Sequence, residues 1–332
     1  MERIIVLSNT VGRNFKTPVK TTAVRQFNNL EIVSLLTSDE CDYDELVKRI
    51  SNTSSHIFVD LEKKQPLNIK NELDQKGNLF NSVYKTIKKQ NLGKRLFLHP
   101  IKLNDITVTA TWKHLTETYE DISGLKLGLI GTGNIGSKLV NILTESGVKV
   151  RCFNRNINKA ITVVNSVLLT KPEQVISSPD VVRRIEHCII NTSGLIVSCS
   201  DISEDLSDYI SLIHGEYKIF LIGHSLLKNF SLEKLRKKNI DVQRIDVGKE
   251  LLSFIVGTLQ THDYKVYGKD FFNGRIVCSG GYIGEKDDLI VDNYKNPKWY
   301  YASSNGKGGV NYASNINGLK NLAELDYIYN GN

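Results

Sequence analysis

From Lys126 to Phe153 the chain reads KLGLIGTGNIGSKLVNILTESGVKVRCF, and this stretch restricts the fold more than any other. A short apolar strand runs directly into Gly131, Gly133 and Gly136 in the order G-x-G-x-x-G, which open a helical repeat carrying Ile135, Leu139, Ile142 and Leu143. A second apolar run, Val148 to Phe153, follows at the distance of the next strand of a parallel sheet. The first glycine permits a tight turn, the second lets the backbone approach a pyrophosphate, and the third lets the helix lie close to the strand. The free N–H groups at the helix N-terminus, where the macrodipole is positive, would receive the pyrophosphate. Gly131, Thr132, Gly133, Asn134, Ile135 and Gly136 are therefore the expected dinucleotide-binding turn.

The position after the second strand separates the two nicotinamide cofactors. An NAD site places Asp or Glu there for the ribose 2′-hydroxyl, whereas this chain has Asn154, Arg155 and Asn156. A carboxylate would repel a 2′-phosphate; a guanidinium pairs with it through two charge-assisted bonds and can stack on adenine. NADP is the expected cofactor.

With 332 residues, 40% of them hydrophobic and 24% charged, the chain can bury two cores and reads as a soluble globular protein. The opening MERIIVLSNT reads as a first strand and not as a leader, and no apolar run is long enough to span a bilayer. Five cysteines, an odd number without a C-x-x-C pair, fit a reducing cytoplasm. The net charge of +7 comes from stretches such as KTIKKQNLGKR and EKLRKKN, which read as solvated helix faces. Aromatic residues do not interleave them, so no nucleic-acid partner is expected. The histidines and cysteines lack ligand spacing, so no metal is expected either. The expected partner is a small-molecule substrate, and a homodimer is an admissible assembly.

Residues 1–105 read as a small α/β substrate domain, with strands near Arg3–Leu7, Glu31–Leu36, His56–Leu61 and Arg95–His99. Two helices lie between them, one with Leu46, Val47 and Ile50 on its inner face, the other with Leu79, Phe80, Val83 and Ile87. Asp60, Glu62 and Lys63 in one strand end, and His99 and Lys102 in another, stand where open α/β sheets place ligands. Hydride transfer to a carbonyl or imine leaves charge that a proton donor must meet, so Lys63, His99 and Lys102 are the catalytic candidates. His224, after a later strand, is a weaker one.

Residues 106–262 read as the nucleotide-binding domain, entered by a connecting helix over Asn104–Tyr119. Further strands are expected within Ile161–Leu168 and at Cys188–Asn191, Lys218–Ile222 and Asp241–Asp246. Thr192, Ser193 and Gly194 would then lie just past a strand, at the nicotinamide edge. Residues 263–332 read as a β-rich extension, with strands at Arg275–Cys278, Leu289–Val291 and Trp299–Ala302, a flexible loop at Ser303–Gly309 and a short helix near 317–327. The fold class is α/β, a doubly wound parallel sheet with an N-terminal α/β domain and a C-terminal β-rich extension.

GLKLGLIGTGNIG resembles the NAD(P)-dependent Rossmann dehydrogenases, and the two-domain layout is similar to several of their branches. Asn154-Arg155 and IINTSG (Ile189 to Gly194) are similar to cofactor segments of the shikimate dehydrogenase and glutamyl-tRNA reductase group. That resemblance implies that Asn154 and Arg155 hold a 2′-phosphate and that Thr192 and Gly194 border the nicotinamide. Chain length and GNIG also resemble the D-2-hydroxyacid dehydrogenases, although the Thr-Pro-His of that family is missing at His262. The expected activity is an NADP-dependent hydride transfer to or from a small, anionic carbonyl or imine compound. A non-catalytic NADP-binding sensor, or an enzyme keeping the dinucleotide as a resident redox group, are the alternatives.

Overall fold

The computed structural model describes residues 1–9, 17–38, 41–66, 76–199, 202, 205–213, 215–223, 227, 229–262, 267–297 and 300–311. They fall into two compact units, Met1–Leu251 and Leu252–Asn332. One five- or six-stranded sheet lies within each of the stretches 1–105, 106–262 and 263–332, and a two-stranded sheet also falls within the first.

The first sheet is built from β1 (Glu2–Asn9), β2 (Val19–Phe27), β3 (Leu30–Thr37), β4 (His56–Asp60) and β7 (Phe97–Ile101), in the order β2-β3-β1-β4-β7. β3, β1, β4 and β7 run parallel, so their C-terminal ends share one edge; β2 turns back antiparallel on β3. Alternate residues Ile5, Leu7, Ile57 and Val59 face helices α1 (Tyr43–Ser51) and α2 (Leu79–Lys89). Those helices return Leu46, Val47 and Ile50, and Leu79, Val83 and Ile87, at the spacing of one helical face. Each such side chain stabilises the fold by about 1.5–3 kcal/mol through burial. The Asp42 carboxylate caps α1 by accepting from the N–H groups of Asp44 and Glu45, and Asn78 caps α2. A small hairpin, β5 (Lys64–Pro66) with β6 (Lys76–Asn78), stands between β4 and α2.

Helix α3 (Leu103–Thr118) leads into the second sheet. Its strands are β8 (Lys126–Ile130), β9 (Lys149–Phe153), β10 (Asp180–Val181), β11 (Gly194–Val197), β12 (Lys218–Leu221) and β13 (Asp241–Arg244). All are parallel, in the order β10-β9-β8-β11-β12-β13. The order reverses between β8 and β11, and the C-terminal side of such a switch point is where α/β sheets open a ligand crevice. Leu127, Leu129, Val150, Cys152, Ile196 and Phe220 form its core with Leu139, Val140 and Leu143 of helix α4 (Asn134–Glu145).

Two sequence expectations are corrected here. Ile161–Leu168 is not a strand but the middle of helix α5 (Ile157–Thr170), which buries Ala160, Val164 and Val167 at helical spacing, and the third strand is the two-residue β10. Cys188–Asn191 is not a strand either. It is the end of helix α6 (Glu186–Ile189) and a turn, and the slot beside β8 goes to Gly194–Val197. Gly128 explains the docking of α6, because a Cβ there would overlap the carbonyl oxygen of Cys188.

A 3-10 helix at Leu206–Leu212 and helices α7 (Asn229–Lys237) and α8 (Gly248–Gln260) follow among the described residues. The last sheet takes β14 (Lys269–Phe272), β15 (Arg275–Ser279), β16 (Lys286–Val291), β17 (Tyr300–Asn305) and β18 (Val310–Asn311) in sequence order. Ser303–Gly309 is not a free loop throughout: β17 runs to Asn305 before the chain reverses into β18. His224 and the helix expected near 317–327 lie outside the described residues. Among those described, no helix is long and apolar enough to cross a membrane, and no group of His, Cys, Asp and Glu could hold a metal ion.

Candidate active site

The glycine turn has the geometry its spacing requires. Gly131 sits at φ 98° and its N–H donates to the Phe153 carbonyl at 2.8 Å, a backbone conformation that a side chain would strain. A Cβ on Gly136 would overlap the Gly131 carbonyl oxygen, so helix α4 can close on the turn only without a side chain there. At Gly133, which precedes the first residue of α4, a Cβ would meet nothing within 4 Å. The absence of a side chain at Gly133 therefore keeps open space in front of the helix N-terminus.

Asn154, Arg155 and Asn156 divide the work at the end of β9. The Asn154 amide donates to Thr132 Oγ1 at 2.8 Å and accepts from the Asn156 N–H at 3.0 Å, tying the glycine turn to the next loop. Asn156 caps α5 by accepting from the Lys159 N–H at 3.3 Å. The exposed Arg155 is left to face a cavity of about 340 Å³, whose lining it shares with Gly131, Gly133, Asn154 and Lys159. Apolar walls come from Ile130, Phe153, Ile185 and Ile202, and Ser198 and Cys199 close the side beyond β11. Among the described residues, no carboxylate lines it. Lys159, Ser198 and Cys199 are not among the residues that the sequence motifs single out. Lys159 lies one helical turn after Arg155, a spacing that points to it once α5 is known. The serine and cysteine escape notice because the apolar run at Cys188–Asn191 competes for the strand before them.

Thr192, Ser193 and Gly194 must be moved from the nicotinamide edge. The Ser193 N–H donates to the carbonyl of Lys126, the first residue of β8, and Gly194 is the first residue of β11. The dinucleotide turn follows the last residue of β8, four strand steps or about 13 Å away. At the C-terminal end of β11 the Ser198 N–H donates to the Ile130 carbonyl at 2.8 Å, so Ser198 and Cys199 occupy the place expected for 192–194.

In the first sheet, Ser8, Asn9, Thr37, Ser38 and Asp60 are buried polar residues gathered at the C-terminal edge. Asp60 accepts from Ser8 Oγ at 3.0 Å and from the Glu62 N–H at 3.1 Å. Burial raises its pKa above the ordinary 3.8, against the pull of those bonds and of the Lys63 ammonium. The folded protein thus keeps a proton on Asp60 at pH values where the unfolded chain has lost it, and stability from this group falls as pH rises from 3.8 through the raised value. Asp60→Asn keeps a donor and an acceptor for the same partners, so its melting temperature should exceed the wild-type value at pH 7, with the gap closing towards pH 4. Thermal unfolding at both pH values checks this, and a variant less stable at pH 7 would contradict it.

The loop after β4 reaches the nucleotide helix. Glu62 Oε1 accepts from Lys138 Nζ at 2.8 Å and lies 3.4 Å from Asn134 Nδ2, while Oε2 accepts from the Asn104 N–H at 3.3 Å. Lys138 also bonds Asp105 of α3. Burial lowers the Lys138 pKa, but the bonds to Asp105 and Glu62 more than offset it and the net shift is upward. Half-buried Lys63 is carried on this loop, and Lys102, exposed at the start of α3, pairs with Asp105 at 3.8 Å. His99 is corrected: it lies inside β7, not at a strand end. Its ring is buried against Phe58 and its Nε2 is 2.9 Å from His56 Nδ1. The strand runs two residues further than expected because β7 is at the sheet edge, where Pro100 needs no donor.

Residues 98–196 match the family model described as D-isomer specific 2-hydroxyacid dehydrogenase, NAD binding domain. No curated protein matches the sequence. Among solved structures, a dipicolinate synthase from Bacillus halodurans is similar at 13% identity, over 78% of this chain and 97% of that one, with a TM-score of 0.35. L-tryptophan dehydrogenase from Nostoc punctiforme is similar at 15% identity, over 64% of this chain and 57% of that one, with a TM-score of 0.38. Shikimate 5-dehydrogenase from Listeria monocytogenes, in complex with shikimate and NAD, is similar at 15% identity, over 65% and 76%, with a TM-score of 0.40. Residues 98–196 are thus similar to the NAD-binding domain of nicotinamide-dependent dehydrogenases.

Proposed function

We propose that this chain is an NADP-dependent oxidoreductase that transfers a hydride between the nicotinamide and a small, anionic carbonyl or imine compound. The observation that carries the cofactor choice is the cavity beside the glycine turn, where, among the described residues, Arg155 and Lys159 are present and a carboxylate is not. Two cations suit a 2′-phosphate; the apolar walls suit an adenine face. The substrate would lie at the C-terminal edge of the first sheet, which the Glu62 contacts bring to α4. Lys63 and Lys102 are groups there that can attract an anion or donate a proton to the oxygen or nitrogen that gains charge. Five cysteines, all free thiols in this structure, suit a reducing cytoplasm.

Arg155→Ala and Lys159→Ala test the cofactor choice. Loss of one charge-assisted contact should weaken NADPH binding roughly ten- to a hundredfold, with NADH changed little. Calorimetric titration of both nucleotides into each variant measures it. An equal loss for NADPH and NADH would mean that these cations do not read the 2′-phosphate.

A further inference from the structure

The contact of Glu62 with the nucleotide helix has a feature that a simple brace would lack. The carboxylate sits beside Asn134, the first residue of α4, and is held there by Lys138, one turn further along the same helix. Side chains of a helix lean towards its N-terminus, so the Lys138 ammonium lies on the side from which a diphosphate approaches. Glu62, whose side chain is only 16% exposed, also closes the N-terminus of α3 through the Asn104 N–H, and Asp105 holds Lys138 from that helix. Without nucleotide, two carboxylates therefore share one lysine at the mouth of an anion site.

A diphosphate delivered to the N–H groups at Gly133–Ile135 would bring more negative charge to a half-buried place already containing Glu62. Like charges at such distances repel, and the repulsion is weakly screened where water is partly excluded. The Lys138 ammonium, on a flexible four-carbon stem, can move to meet that charge. We propose that Glu62 and Lys138 form a nucleotide-sensed switch. Lys138 leaves Glu62 for the diphosphate when the dinucleotide binds, and the freed carboxylate lets the loop 61–63, with Lys63, detach from α3 and α4. The inference rests on the dinucleotide reading of the glycine turn and adds to it the coupling of cofactor occupancy to the substrate edge.

The switch makes Glu62 an internal competitor, so Glu62→Gln should bind NADPH roughly tenfold more tightly than wild type, an effect shrinking at high salt. A neutral glutamine keeps one acceptor oxygen, for Lys138 or for the Asn104 N–H but not for both, so a merely structural Glu62 would leave affinity unchanged or lowered. Lys138→Met should weaken NADPH by roughly tenfold. The second readout is amide hydrogen exchange in the wild-type protein. The Asn104 N–H loses its acceptor when Glu62 departs and should exchange faster with NADPH present, while N–H groups at the glycine turn are protected. Unchanged or weaker binding by Glu62→Gln, or an Asn104 amide that NADPH protects, overturns the switch while leaving the nucleotide site standing. A wild-type protein that binds neither NADPH nor NADH removes the site and the switch with it.

Discussion

Gly136→Ala is expected to lower the melting temperature by about 10 °C and to abolish dinucleotide binding, whereas Gly133→Ala should leave the melting temperature nearly unchanged and lose only the nucleotide. The two glycines lie three residues apart in one turn and meet opposite surroundings. A methyl group at Gly136 overlaps the Gly131 carbonyl oxygen, which is backbone and cannot swing aside, so α4 must lift from β8 and the packing of Leu139, Val140 and Leu143 is disturbed. Overpacking against backbone costs about 1–3 kcal/mol or more, and this site combines it with a shifted core helix. At Gly133 the φ of −74° is ordinary for alanine, and the methyl group would stand in open space. That space is where the pyrophosphate must approach, so affinity should fall roughly a hundredfold. Thermal unfolding and NADPH titration of both variants decide it. A Gly133→Ala protein that binds NADPH as wild type does would show that the open space is not the cofactor's.

Lys63→Met should lower turnover roughly a hundredfold or more while NADPH affinity stays close to the wild-type value. A hydride delivered to a carbonyl carbon leaves its electron pair on oxygen, and a positioned ammonium can meet that charge or supply the proton. Lys63 lies on the loop that Glu62 fastens to α4, close enough to Asp60 at the sheet edge to act on its charge, where the substrate is proposed to lie. Lys102 stands at the start of α3 with Asp105 as a partner, which suits an anion anchor, so Lys102→Met should raise KM more than it lowers kcat. The measurement is steady-state kinetics on the keto acid or cyclic imine that wild type turns over. Full turnover by both variants would remove the assignment.

The nucleotide unit is legible in the sequence because its constraints are local. A turn at positive φ, a helix pressed on a strand and a bare approach each require glycine at a fixed place, and Gly131, Gly136 and Gly133 satisfy them within one short stretch. The absence of a carboxylate from Asn154–Asn156 is legible for the same reason. The strand beside β8 is not. Cys188-Ile189-Ile190 and Leu195-Ile196-Val197 are equally apolar, and the choice depends on Gly128 accepting the backbone of Cys188, a contact between residues far apart in sequence. That one displacement carries Thr192, Ser193 and Gly194 to the wrong edge and hides Ser198 and Cys199. His99 is a matter of register: Pro100 argues against a longer strand, and only the edge position of β7 makes it harmless. Glu62 is visible as a charge at a strand end, but its partner Lys138 comes from another sheet's helix, and no spacing rule joins them.

The cofactor choice rests on Arg155 and Lys159 beside the glycine turn, which would select NADP through its 2′-phosphate. Calorimetric titration of NADPH and of NADH into the unmodified protein under identical salt tests it most directly, since the two differ only in the 2′-phosphate that Arg155 and Lys159 would meet. NADPH is expected to bind at least roughly tenfold more tightly. Equal affinities, or tighter binding of NADH, would contradict the account.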